Sequence, residues 1–387
     1  LRNAKPLSYQ LSYWERKSFF DGIDVAIIGS GIVGLSAALR IRELAPTARV
    51  VVLERGVLPI GASTRNAGFA CFGSPTELLD DLSRQPEEQV WALVERRWRG
   101  LQRLRGRFGD ARLCYENLGG YELFRPEDEE SYAACMEALP GLNRQLKAIT
   151  GQAEVFQQAD GRIADFGLGG LSHLIVSTLE GQLNPGEMMR ACIAMAQEAG
   201  IELYNGLSIQ SLEDQGQQVE LVTNFGWSFK ARRVLVATNG LARELLPDLA
   251  VTPARNQVLI TAPIPGLSLQ GAFHYDRGFY YFRNIDGRIL LGGGRNLDLQ
   301  GETTAEFGNN PLIRSALARL LHEVILPGKN ATVESWWSGI LGLGEHKAPI
   351  VEAVAENIVA AVRLGGMGVA IGTLVGEEGA ELLLGHR

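Results

Sequence analysis

The chain has 387 residues, 46% of them hydrophobic and 21% charged, the proportions of an ordinary globular protein long enough for two domains or two joined lobes. A formal net charge of −7 with dispersed basic residues argues against nucleic acid as a partner, and no apolar run approaches the length of a membrane span. Cys71, Cys114, Cys135 and Cys192 sit far apart with no CxxC, so a disulfide framework is not indicated and the cytoplasm is the expected compartment. The first twenty residues, with Lys5, Glu15, Arg16 and Lys17 around Tyr9, Tyr13 and Trp14, lack the apolar stretch of a signal peptide. The start at Leu1 instead of Met is expected either of a trimmed N-terminus or of a remnant of cloning.

Asp24-Val25-Ala26-Ile27-Ile28 then reads as a buried strand running into Gly29-Ser30-Gly31-Ile32-Val33-Gly34 and a helix. A second buried strand, Val50-Val51-Val52-Leu53, ends on Glu54, about 20 residues past the last glycine. This is a dinucleotide fingerprint in its full context. Gly29 permits the tight turn, Gly31 admits a pyrophosphate to the backbone, and Gly34 lets the helix pack closely on the strand. Glu54 can accept from ribose hydroxyls and disfavours a 2′-phosphate. Arg55 either attracts such a phosphate or is simply solvated, so NAD and FAD both stand at this point.

A small-residue loop, Gly61-Ala62-Ser63-Thr64-Arg65-Asn66-Ala67-Gly68, precedes a largely helical stretch from about Thr76 to Leu146. Within it, Val90, Val94, Trp98, Leu101, Leu104 and Phe108 form an apolar stripe on the helix Glu87–Phe108, surrounded by Arg96, Arg97, Arg99, Arg103 and Arg107. That helix either touches a membrane surface or packs on its own domain, the second being favoured because Glu87, Glu88 and Glu95 share its polar face. A further α/β stretch follows: the helix Glu187–Ala199 stopped by Gly200, then strands at Ile201–Tyr204, Gln218–Thr223 and Arg233–Thr238, the last ending in Asn239-Gly240. Pro253–Thr261 and Gly278–Gly294 are strand-rich and aromatic. A strand at Ile358–Leu364, the turn Gly365-Gly366-Met367-Gly368 and a helix through Leu384 close the pattern. No Pro/Gly/Ser linker divides the chain, which suggests interleaved lobes.

Four segments together resemble the flavin-dependent D-amino acid oxidase superfamily of the glycine oxidase, sarcosine oxidase and γ-glutamylputrescine oxidoreductase types. They are the fingerprint with Glu54, the loop Gly61–Phe69 (like GAS-x-RN-x-G), the turn Val236-Ala237-Thr238-Asn239-Gly240, and Trp336-Trp337-Ser338-Gly339 followed by Gly365-Gly366-Met367-Gly368-Val369. The resemblance spans nearly the whole chain and implies noncovalent FAD, since no cysteine follows Cys192 to match the flavin tether of some relatives. It implies cofactor contacts from Gly29, Ser30, Gly31, Ile32, Gly34, Glu54, Arg55, Ser63, Arg65, Asn66, Ala67, Gly68, Phe69, Ile209, Ala237, Thr238, Asn239, Gly240, Gly339, Gly365, Gly366, Met367, Gly368 and Val369. The glycines at the last helix start suit a flavin, because backbone N–H groups there stabilise the charge that reduction places on the ring; a mere tight turn is the plainer reading.

The resemblance implies an α/β fold in which a Rossmann-like FAD-binding domain (21–80, 184–250 and 332–387) interleaves with a mixed-sheet, α+β substrate domain (81–183 and 251–331). It also implies oxidation of a C–N bond in a small-molecule amine or amino acid, with oxygen or another acceptor reoxidising the flavin. The segment His274–Arg283 is the expected active-site wall, with Tyr280 and Phe282 facing one way and Phe279 and Tyr281 the other. Arg283 either grips a carboxylate or pairs with Asp276 or Asp286; Arg295 is a similar candidate, and Tyr281 and His274 complete the catalytic set. For His274 a structural role is the favoured reading, and none of the five histidines shows zinc-ligand spacing. Phe69, Trp336 and Trp337 either floor the site or pack in the core. Two departures matter. Gly339 is followed by Ile340-Leu341-Gly342-Leu343, without the substrate-clamping arginine of glycine oxidase types, and Arg288–Gly292 lacks the oxygen-activating lysine of sarcosine oxidase types. A hydroxy-acid or glycerol-phosphate type dehydrogenase and a non-catalytic flavoprotein subunit are the competing readings.

Overall fold

The structure is a computed structural model and describes residues 9–386; residues 1–8, with Lys5 of the signal-peptide reading, lie outside the described residues. The chain forms two compact units, each assembled from separate segments. The first takes the chain up to Thr64, then Gly186–Pro253 and the residues from Leu341 on; the second takes Arg65–Pro185 and Ala254–Ile340.

In the first unit, five strands run parallel in the order Ile358–Val362, Ser228–Val236, Ile23–Ile28, Val50–Glu54 and Glu202–Asn205. Ile350–Ala355 adds an antiparallel edge, and the hairpin Ile209–Asp214/Val219–Thr223 pairs off Ser228–Val236. The central strands are covered on both faces, which is why Val25–Ile28 and Val50–Leu53 are continuous apolar runs and not alternating ones. Helix Gly368–Leu384 lies on helix Ile32–Leu44. A Cβ on Gly372 would meet Ile32 Cγ2 at 2.6 Å and one on Gly376 would meet Val33 O at 2.3 Å, while Arg40 pairs with Glu381 further along. Contacts that advance together along both helices make them parallel, so their N-termini share one end of the unit.

The second unit is built on an eight-stranded mixed sheet, in which Ala272–Tyr275 and Gly120–Phe124 pair parallel amid antiparallel neighbours. Register and the period-2 alternation of strands divide its side chains. Tyr121, Phe273, Phe282, Leu291 and Leu259 stand in one row and form a core with Ile313, Leu317 and Leu320 of helix Pro311–Leu320. The next row, on the opposite face, is Glu122, His274, Tyr281, Gly292 and Val258.

The α/β class and the mixed second sheet agree with the sequence reading; several details differ. Residues 65–80, expected in the FAD-binding domain, belong to the second unit, because Phe69–Ala70 pairs with Gly181–Gln182 and Pro75–Arg84 packs on helix Glu129–Thr150. The helical stretch from Thr76 is interrupted by strand Gly120–Phe124. The stripe of helix Glu87–Phe108 is spent inside its own unit, where Val90 and Val94 pack on Phe124, Leu139 and Leu142, so the membrane-surface reading fails. Arg97 is buried among that stripe and is not part of the polar face. Among the described residues no helix is long and apolar enough to cross a membrane.

Candidate active site

In the first unit the predicted cofactor residues converge at the carboxyl ends of the parallel strands, where open α/β sheets bind ligands. Gly29 has φ +106°, and a Cβ there would lie 2.8 Å from Ala237 O; a Cβ on Gly31 would lie 3.0 Å from Ser63 Oγ. Ser63 Oγ accepts from Ile32 N at 3.0 Å, tying the small-residue loop to the first turn of the helix. Glu54 Oε2 accepts from Ser30 Oγ (2.8 Å) and Ser30 N (3.3 Å), and its Oε1 accepts from Gly56 N (2.8 Å). Asn239, at φ +48°, presents Oδ1 to Leu364 N at 3.1 Å, and Gly365 N donates to Gly342 O at 3.0 Å. The turns at Ala237–Gly240 and Gly365–Val369 are thereby drawn to the same end as Gly29–Gly34.

This bed fits a dinucleotide. Two parallel helices direct their unpaired N–H groups to one end, the glycines leave room where side chains would intrude, and the buried Thr238 hydroxyl has no hydrogen-bond partner among the described residues. Glu54 keeps lone pairs beyond those that Ser30 and Gly56 use. Replacing it by glutamine sets an N–H₂ against either the Ser30 or the Gly56 donor; FAD affinity is expected to fall roughly tenfold, or about 1.4 kcal/mol, as read by flavin release on dilution. The Ile209 side chain is buried in the core with Leu53, Leu207 and Leu221, and Arg55 sits exposed, its Nη1 3.6 Å from Glu244 Oε2.

In the second unit, Phe69, Tyr281 and Trp337 gather with Ala67, Val258 and Leu290 on the face opposite the core. Phe69 meets Tyr281 at 5.6 Å and His274 at 5.1 Å, both nearly edge to face. Tyr281 lies across Gly292, where an added Cβ would come within 2.6 Å of its ring, and its hydroxyl accepts from Asn256 Nδ2 at 3.1 Å. Burial pushes the Tyr281 phenol up, so it stays protonated. Trp337 Nε1 donates to Arg65 O (3.0 Å), and Arg65 Nη1 donates to Ser338 O (3.0 Å) while its guanidinium lies over Phe307. Gly339 leaves the space that the Arg65 stem occupies, and Asn66 Oδ1 accepts from Gly68 N at 2.7 Å. Gly292→Val is expected to push the Tyr281 ring aside, lowering turnover about a hundredfold with FAD still bound, since misplacement of this order commonly costs that much; absorbance and steady-state rates on one sample test both parts.

Several predicted substrate residues need correction. Arg283 forms no ion pair with Asp276 or Asp286 among the described residues, and its hydrogen-bond partners there are main-chain carbonyls. It is 2% exposed, with Nη1 donating to Leu183 O (2.6 Å), Ala67 O (3.2 Å) and Gly68 O (3.3 Å) and Nε donating to Asn284 O (3.1 Å). Burial lowers it to about 10, against the pull of Glu116 and Asp286, which still leaves it a cation near neutral pH. Trp336 turns from the wall and packs on the core side beneath the Arg314 guanidinium. Phe279 precedes its strand and packs there too. Arg295 is half-buried on the single turn Arg295–Leu297, lowered by burial against Glu302. His274 is buried behind Phe69, its Nε2 3.8 Å from Glu180 Oε2. Sequence reasoning missed Glu180 and Glu122 altogether and read Arg97 as one of the arginines surrounding a stripe; Gly120, which makes room for Glu180, is the faint trace of that acid.

The parallel sheet, glycine bed and acid at the second strand's end define a dinucleotide-binding flavoprotein fold. The family itself follows from comparison: the model of the FAD dependent oxidoreductase (DAO) family matches residues 24–382, so the chain belongs to that family and its cofactor is FAD. It is 24% identical over 350 residues to the bifunctional protein ThiO/ThiG of a Synechocystis species, covering 88% of this chain and 48% of that protein. The chain thus spans about half the length of that relative. Among solved structures it is similar to L-proline dehydrogenase from P. horikoshii (TM-score 0.74, 18% identity, 95% of each chain). It is likewise similar to glycine oxidase from Geobacillus kaustophilus (TM-score 0.72, 23% identity, 93% of this chain and 94% of that one).

Proposed function

We propose that the first unit holds FAD noncovalently and that the second presents an amine or amino acid, whose C–N bond is oxidised. Bound FAD would supply a two-electron acceptor for the hydride of the carbon beside the nitrogen, and the substrate imine left behind would be hydrolysed by water. The wall of Phe69, Tyr281 and Trp337 carries this reading. Its burial excludes water, and loss of hydration favours the free-base amine, whose lone pair drives hydride loss, as the reacting form. Such a reaction asks for placement more than for a strong base, and the protonated Tyr281 hydroxyl, set by Asn256, is a directional contact for the amine or its product. The names of the similar structures, L-proline dehydrogenase and glycine oxidase, support an amino-acid type of substrate. Oxygen or another acceptor takes the electrons onward.

Anaerobic addition of amino acids of both hands, N-methyl amino acids and polyamine conjugates, followed at roughly 450 nm, tests this. Bleaching by one amine class is the expected result. Bleaching by hydroxy acids alone, or by nothing, overturns it. Readmitted air then identifies or excludes oxygen as the acceptor.

A further inference from the structure

Behind the aromatic wall, within the second unit, lies a group of ionisable side chains that the oxidation does not use. Glu180 is 1% exposed, and its Oε1 accepts from the N–H groups of Phe72 (2.9 Å) and Gly73 (3.3 Å). Its Oε2 fills the space over Gly120, where an added Cβ would lie 2.1 Å away, and stands 3.8 Å from His274 Nε2. That nitrogen is buried and has no hydrogen-bond partner among the described residues. Glu122 faces His274 in register and accepts from Ser74 Oγ (2.9 Å), Thr76 N (3.0 Å) and Thr76 Oγ1. Glu77 accepts from Ser74 N (3.1 Å) and fills the space over Gly278. Arg97, 6% exposed, donates to Phe72 O at 3.1 Å and feels Glu77, Asp81 and Glu180. The neighbouring Cys71 thiol and Tyr115 phenol are pushed up by burial and stay neutral.

The main chain from Phe72 to Ser74 is therefore strung between buried acids and one buried base. Glu122 and Glu180, buried close to one another, are both held toward the neutral form by a medium of low dielectric constant. Burial raises Glu180 to about 8 and Glu122 to about 7, while it lowers His274. Near neutral pH the Glu180–His274 pair thus carries a single proton, on the carboxyl group. Phe69 is joined to this pair twice: its ring meets the His274 edge, and its strand pairs with Gly181–Gln182, the residues that follow Glu180.

We propose that Glu180 and His274 are positioning residues, and that the proton on the Glu180 carboxyl group, which faces His274 Nε2 across 3.8 Å, keeps Phe69–Gly73, and so the Phe69 ring, in place for the reaction. Its loss leaves a carboxylate facing Glu122 and Glu77 with Arg97 already committed to Phe72 O. Water entry relieves that charge at the expense of the hydrogen bonds to Phe72 and Gly73.

The inference rests on the amine reading for its activity readout only. In holoenzyme followed from about pH 6 to about pH 10, amine-driven flavin bleaching is expected to fall about fivefold or more along an alkaline limb. Its midpoint is expected near the value of about 8 that burial gives Glu180. Glu180→Gln, whose amide oxygen still accepts from Phe72 and Gly73, is expected to lack that limb, and Glu122→Gln to keep it. Independently of turnover, the infrared C=O band of a protonated carboxyl group that decays with a midpoint near about 8 should be present in the wild type and lost in Glu180→Gln; Glu122→Gln should keep it with a lowered midpoint, because the Glu122 charge raises Glu180, and should lose instead the band that decays near about 7. A limb persisting in Glu180→Gln, or no band that this substitution removes, overturns the proposal. Should Glu180→Gln fail to fold, His274→Gln decides: a shifted band midpoint supports the pair and an unmoved one overturns it. If no amine bleaches the flavin, the proposed function falls while the infrared result still judges the pair.

Discussion

Gly34→Ala is expected to give a protein without bound flavin and with a sharply lowered melting temperature. A Cβ at this position would lie 1.9 Å from Gly29 O and 3.2 Å from Ile27 Cγ2. Ordinary contacts begin near ~3.5 Å, so helix Ile32–Leu44 must lift by more than about 1 Å from the strand and turn beneath it. Overpacking of this kind costs about 1–3 kcal/mol and more against rigid main chain. The displacement also drags the helix N-terminus from the bed and shifts the partner helix that rests on Ile32 and Val33 through Gly372 and Gly376. Gly31→Ala is a useful contrast. Its Cβ meets only the Ser63 side chain, at 3.0 Å for Oγ, so the fold should persist while close approach of a pyrophosphate is hindered. Flavin absorbance per chain and thermal melts of the two variants separate the effects; a yellow, wild-type-like Gly34→Ala would contradict the bed described above.

Arg283→Met carries the second large effect, and on stability, not on substrate affinity. The substitution removes the donor to Leu183 O, Ala67 O and Gly68 O together. Gly68 O keeps the Leu183 N–H (2.8 Å), but Leu183 O and Ala67 O lose this donor. Each carbonyl left buried without a partner costs about 1–3 kcal/mol, so a total loss of about 2–5 kcal/mol is expected. The loop Ala67–Gly68 should loosen first, because Gly68 (φ +75°) is wedged between Leu183 O and the Arg283 Nη1 that would be lost. Denaturant unfolding checks the size of the effect. A variant of unchanged stability with a raised KM for carboxylate-bearing amines would restore the ligand-binding reading that the geometry opposes.

These two residues also mark how far the sequence could be read. Gly34 was legible because its requirement is local: strand, turn, helix and acid lie within one short span, and each residue type follows from backbone geometry. The Ala237–Gly240 and Gly365–Val369 turns were legible through resemblance to a family and not through local physics. Arg283 was misread because an arginine in an aromatic strand looks the same whether it faces solvent, a ligand or three distant carbonyls. Those carbonyls belong to residues far away in the sequence. Glu180 and Glu122 were invisible, and Arg97 was misplaced, for the same reason, since burial of a charge is decided by partners from other elements. The separation of Trp336 from Trp337 was within reach, because alternation along a strand sends neighbours to opposite faces.

The first unit is drawn from three stretches of chain, the last of which brings helix Gly368–Leu384 against Ile32–Leu44. During synthesis the fingerprint emerges early, yet half of the bed it belongs to is still untranslated. The nucleotide-binding unit therefore cannot close on the ribosome until residues beyond Leu384 have been added, whereas the segments of the second unit are already out. Cofactor loading consequently waits until the last stretch of the first unit has emerged, and nascent chains reach that point with the apolar flank of Ile32–Leu44 uncovered, a stage at which chaperones have something to hold.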